Sequence, residues 1–214
     1  MAATAGHLAT ISITGASTTM TNEATTNTSG FSYQITSTAR RIVNPAVAIV
    51  IKHNSGVTWP GNFTFDYLNG IVTLDAAPTG AVTIDGAFLP SRQITQAYEL
   101  DVSLSASLPD SSLLGSGFTQ RTRALSDITG SLSCYDSGLT TYTDVELVDL
   151  LDNATTKVID IAWNGGTNYL RFFAMFENVE PSAAVDGIQS LSASFSANGQ
   201  TALTTGQEVD YTIV

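Results

Sequence analysis

A single cysteine, Cys134, in a chain of 214 residues excludes an intrachain disulfide and any metal site built on paired cysteines. Histidine is nearly as scarce. His7 and His53 have no Cys or acid at ligand spacing beside them, which argues against zinc. There is no GxSxG for a nucleophile elbow and no GxxxxGK[ST] for a phosphate-binding loop. Gly115-Ser116-Gly117 reads as a flexible loop rather than a phosphate cradle. No apolar run reaches the roughly 20 residues that cross a bilayer. Met1 to His7 lacks a basic region followed by an apolar stretch, so it does not read as a signal peptide. These absences predict a non-enzymatic protein without cofactor or metal, folded in a reducing cytoplasm and not inserted in a membrane.

Charge is also sparse, at 13% of residues against about a quarter in an ordinary domain. Positive charge is the scarcer sign, with 8 Lys and Arg against 19 Asp and Glu and a formal net charge of -11. Arg40, Arg41, Lys52 and Arg92 balance Glu23, Asp66, Asp75 and Asp85, so the whole excess lies beyond Thr95. Such a surface repels nucleic-acid phosphates, whose binding depends on Lys and Arg displacing counterions. Arg121 and Arg123 form the one close basic pair of the acidic part, without interleaved aromatics for stacking on bases. Pairing with acids on a neighbouring copy suits them better.

What is abundant is Thr, Ser, Val and Ile, and the β-branched members favour strands. The fold class expected is mainly β. Residues 14–29 are almost all Thr, Ser, Ala, Asn and Gly, too polar to bury, and read as an arm that orders only on contact. Residues 1–30 are accordingly expected as a flexible N-terminal arm. Residues 31–95 form a β-rich region. There Val47 to Ile51 suits a buried strand, and Phe63, Phe65 and Tyr67 alternate with polar residues. Asn69-Gly70 marks a hairpin before Ile71 to Leu74, because both residues tolerate positive φ. With Ala81 to Phe88 this block reads as a β-meander ending near Pro90.

The third region, 96–214, opens on Tyr98, Leu100, Val102 and Leu104 facing one way and Glu99, Asp101, Ser103 and Ser105 the other. Alternation returns over Asp127 to Cys134, which places Cys134 on an apolar face as a buried, inert thiol. Tyr169 to Glu177 is apolar on both faces, so both are expected to be covered, a neighbouring subunit being one candidate cover. Ser190, Ser192, Ser194 and Ser196 share one face of a late strand. One helix is expected near 143–153. Thr143-Asp144-Val145-Glu146 has capping-box spacing, and Leu147, Val148, Leu150 and Leu151 follow at helical intervals. Its acids spread along a helix rather than converge, so calcium is not expected.

The order of these elements over about residues 90–200 resembles the major tail tube proteins of long-tailed bacteriophages. The stretches that carry the resemblance are Tyr98 to Ser103, Gly117 to Gln120, Ile128 to Ser133, the helix after Tyr142, and Val185 through Ile188 into Leu191 to Gly199. The resemblance implies a β-sandwich with a flanking helix, closed into hexameric rings that stack into a virion tail tube. Genomic DNA would pass through without specific binding, and other tail proteins would meet the tube ends. The subunit would be made in the host cytoplasm. Glu99, Asp101, Ser103, Ser105, Ser190, Ser192, Ser194 and Ser196 are then candidates for the lumen lining. The loop with Ser107, Asp110, Leu113, Leu114, Phe118, Arg121 and Arg123 is the candidate inter-ring contact. A second reading is a carbohydrate-binding β-sandwich, an adhesin or tail-tip module, with Trp59 and Trp163 stacking on sugar rings from surface loops. A hydrolase built on paired acids is disfavoured, since no spacing among the acids supports it.

Overall fold

A computed structural model describes residues 10–94, 97–106, 126–135, 157–163, 168–182 and 190–205. The helix expected near 143–153 and the loop 107–123 lie outside these residues. Within them, apart from one 3-10 turn at Thr38–Arg40, the regular structure is all strand. The mainly β expectation holds, as two antiparallel seven-stranded sheets, one of them curled into a half-barrel.

One sheet has the order β10-β11-β14-β13-β12-β1-β9. Its strands are β10 (Ala97–Ala106), β11 (Ser126–Tyr135), β14 (Ser190–Thr205), β13 (Asn168–Ser182), β12 (Lys157–Trp163), β1 (Thr10–Thr14) and β9 (Ser91–Ile94). One face of every strand enters a common buried cluster. It includes Ile11, Ile13, Ile128, Leu132, Ile159, Leu170, Phe172, Phe176, Leu191 and Phe195. Among the described residues, all members of this cluster belong to the sheet itself. Burying this face is what makes the cluster a core. Phe195 lies at the centre, with Phe172 and Phe176 at ring-centroid distances of 5.8 and 6.0 Å.

The other sheet has the order β5-β4-β8-β2-β3-β7-β6. These are β5 (Val57–Thr58), β4 (Val50–His53), β8 (Thr83–Phe88), β2 (Thr18–Ser29), β3 (Ser32–Ile35), β7 (Ile71–Leu74) and β6 (Phe63–Asp66). It is not the expected meander: β2 lies between β3 and β8, so distant parts of the chain are neighbours. Its own cluster is built on Met20, Ile35, Val43, Ile51, Val72, Leu74, Val82 and Ile84.

The expected hairpin forms between β6 and β7, with Asp66 opposite Ile71 and a four-residue loop between them. The Asp66 carboxylate accepts the Leu68 amide at 2.9 Å, the Asn69 amide at 3.2 Å and the Asn69 side chain at 2.7 Å. Gly70 sits at φ +62°, and a Cβ there would come within 2.7 Å of the Arg41 carbonyl. Both facts require glycine.

Two expectations are corrected. Residues 18–29 are not an arm but strand β2, whose first half pairs with β8 and whose second half pairs with β3, and residues 10–14 form β1. The second face of β13 is covered by this same chain rather than by a neighbour. Phe173 and Val158 are buried there against Ile42, Leu68 and Leu89 of the other sheet.

Candidate assembly edge and hydroxyl face

Strand pairing brings the serine and acid positions into rows. Glu99 stands opposite Ser133, Asp101 opposite Ser131, Ser103 opposite Thr129 and Ser105 opposite Asp127. On the next interval, Ser133 faces Ser192, Ser131 faces Ser194 and Thr129 faces Ser196. The rows continue into β13, where Ser192 meets Glu180, Ser194 meets Asn178 and Ser196 meets Met175. In an antiparallel sheet directly opposed residues share a face. All eight candidate lining residues therefore lie on one face, on β10 and β14, opposite the buried aromatic cluster.

That face is polar and open. Glu99, Asp101, Ser103, Ser105 and Ser192 are exposed, and Ser190, Ser194 and Ser196 are half-exposed. Its hydroxyls bond sideways: Ser133 to Ser192 at 3.1 Å, and Ser196 donating to Glu177 at 2.5 Å. Asn178 donates to Glu180 at 2.7 Å. Strands β10, β11 and β14 contain no Lys or Arg at all, nor does β13 beyond Phe172. Glu99, Asp101, Asp127, Glu177 and Glu180 give the face a uniformly negative formal charge. The sequence reading found this strand but did not name its Asp127, Thr129, Ser131 and Ser133, which complete the surface. The signal was the same alternation that placed Cys134 on the buried side.

The face ends at an edge. Among the described residues, the ten-residue β10 pairs only with β11, so its outer row of amides and carbonyls is unmatched by any strand. Tyr98 and Tyr135 stack there at 4.4 Å, and both are exposed. Leu104 is 59% exposed. Proteins that stay monomeric blunt long edges with lysine, proline or bulges that face solvent. Strand β10 carries neither lysine nor proline, and its one irregularity lies at Ala97–Glu99. The opposite edge of the same sheet is β9.

The remaining candidates fare differently. Ser107, Asp110, Leu113, Leu114, Phe118, Arg121 and Arg123 lie outside the described residues. Cys134 is buried, as expected. Trp59 packs against the smaller sheet's cluster, with His53 edge-on at 5.1 Å and its indole N–H donated to the Asn62 carbonyl at 3.3 Å. Trp163 ends β12 and packs against the larger cluster. Neither indole is a free platform for a sugar ring. Among the described residues no group of three or more His, Cys, Asp and Glu could hold a metal, and no helix is long and apolar enough to cross a membrane.

No protein-family profile matches the chain, and no curated protein matches it. Among solved structures, a chain from the tail of an empty GTA particle, refined helically with C6 symmetry, is similar at 12% identity and a TM-score of 0.46. The match covers 54% of this chain and 87% of that one. A likeness of that degree assigns neither family nor activity.

Proposed function

We propose that this chain is a structural subunit that closes edge to edge into hexameric rings, which stack into a bacteriophage tail tube through which DNA is ejected. The observation that carries the reading is the ten-residue β10 edge, unpaired among the described residues and continuous with a hydroxyl and carboxylate face free of Lys and Arg. Head-to-tail contacts make rings when the rotation closes, and closure removes the exposed edge. This hydroxyl and carboxylate face would then line the bore. Phosphate meets no cation there, so DNA is repelled slightly and slides on a water layer instead of binding. The protein's role is passive and non-enzymatic. Its partners are its own copies and the tail proteins at the tube ends, and its place is the virion tail.

Negative-stain electron microscopy of the purified chain tests this, with rings or tubes around a central hole expected. Monodisperse monomers at high concentration would reject the assembly. The bore assignment is tested separately by Ser192→Lys with Ser194→Lys. Both positions face outward, so folding is retained while DNA release from assembled particles slows. Unchanged release would remove this face from the bore.

A further inference from the structure

Strands β1 and β9 are sheet neighbours, with Ile11 opposite Ile94 and Thr14 opposite Ser91. The Gly15 amide donates to the Pro90 carbonyl at 2.8 Å. This is the relation between the two arms of a hairpin, which a loop of about 2–5 residues normally joins. Here the entire second sheet stands between them. It has its own buried cluster and leaves and re-enters the host sheet at one point.

The inserted sheet then sits back on its host. Leu68, Ile42 and Leu89 cover Val158 and Phe173. Arg171 donates to the Leu68 carbonyl at 2.8 Å, and Tyr169 to the Asn69 side chain at 3.0 Å. All of these host residues lie on the same face as the serine rows, at β12 and the first half of β13. The serine rows occupy β10, β11, β14 and the second half of β13. The inserted sheet therefore covers one part of this face and leaves the serine rows open.

We infer that residues 16–89 are a separable module carried on the outer wall of the tube, away from the bore. The inference rests on the tube reading given above. The module reaches well beyond its root. The twelve residues of β2 span about 35 Å at a rise of roughly 3.2–3.4 Å each, so the tip at Gly30 stands far from Gly15. The exposed Phe31 and Phe63 belong to this distal end. The Leu74 amide reaches the Phe31 carbonyl, and Phe63 pairs with Leu74.

Two variants test the inference. In the first, residues 16–89 are replaced by an Asn-Gly turn, and Val158→Thr and Phe173→Thr make the uncovered patch polar. This shortened chain should unfold cooperatively and assemble into tubes of unchanged bore and smaller outer diameter. A companion deletion without the two threonine changes separates loss of the module from the effect of the substitutions. In the second variant, Thr28→Cys in the full chain is biotinylated and probed with streptavidin, with buried Cys134 as an unreactive internal control. Streptavidin should decorate intact tubes along their outer wall. Labelling only after the tubes are dissociated, or a bore altered by the deletion, overturns the exterior placement. Failure of both deletion chains to fold overturns separability. If the full chain assembles nothing, the tube reading fails and the exterior placement with it, while the deletion chains still judge the insertion.

Discussion

Arg171→Leu removes the charged part of the joint between the two sheets in a single step and leaves the Tyr169 bond to Asn69. The Nε and Nη2 groups donate to Asp160 Oδ2 at 3.1 and 2.6 Å, Nη1 donates to the Leu68 carbonyl at 2.8 Å, and the guanidinium lies 4.9 Å from the centre of the Tyr169 ring. Both charged side chains are 17% exposed, so the pair is mostly withdrawn from water. Removing one member of a buried pair strands the other and costs about 3–5 kcal/mol. Residual exposure here reduces that to about 2–4 kcal/mol. In a chain of this size such a loss lowers Tm by roughly 5–15 °C. The companion change, Asp160→Leu with Arg171→Leu, removes both charges and also the Asp160 Oδ1 atom, which is buried without a hydrogen-bond partner. The double variant should return to within about 1 kcal/mol of the parent, the remainder being the Leu68 carbonyl left without its donor. Urea and thermal unfolding followed by circular dichroism measure both. A single variant within about 0.5 kcal/mol of the parent, against the 3–5 kcal/mol expected of a buried pair, refutes the reasoning. So does a double variant as weak as the single.

Gly130→Ala should destabilise the chain by about 1–2 kcal/mol. The new methyl would press on the Asp101 carbonyl and stand 2.7 Å from the Phe195 ring, overpacking offset in part by the lower backbone entropy of alanine. The urea midpoint reads the loss, and an unchanged midpoint contradicts the close contact. Asp85 is held below the usual carboxylate range, first by the hydrogen bond from Lys52 and then by the Asn22 amide. Its depressed folded value means that the contribution is complete above the ordinary carboxylate pKa of about 3.9 and disappears as pH falls through the folded value. Wild type should therefore lose more stability on acidification from pH 5 than Asp85→Asn does, and parallel profiles would contradict the assignment.

Much of the candidate face was readable before any coordinates. Strict alternation in 98–105 and 190–196 fixes which side each serine takes, because a period of two leaves no freedom once the apolar side is buried. What alternation cannot supply is the order of strands. That β11 lies between β10 and β14, joining two serine rows into one surface, depends on pairings between residues up to about 70 apart in sequence. The cover on β13 was misassigned for a related reason. Phe173 is apolar and needs burial, but nothing near it in sequence names Leu68 as its partner; a hairpin loop about a hundred residues earlier supplies it.

The threonine-rich stretch is the more instructive error, because the residues were weighed by the wrong property. Strand β2 buries only Met20 and Glu23 among its twelve residues, so hydrophobicity argues for an arm. Yet β2 pairs along most of its length, its first half with β8 and its second half with β3, whatever its side chains are, and β-branched threonine suits the pleat. Its neighbours β3 and β8 bring Ile35, Ile84 and Ala87 to the core, so β2 itself needs few apolar groups. The buried Glu23 is paired with Arg40 at 2.5 Å. Asn22, at φ 51°, forms the bulge between Met20 and Glu23 and gives its amide to Asp85. The polar residues that suggested disorder thus fix the register of the strand. A stretch poor in apolar residues but rich in threonine is better read as a strand awaiting two apolar neighbours than as a free arm.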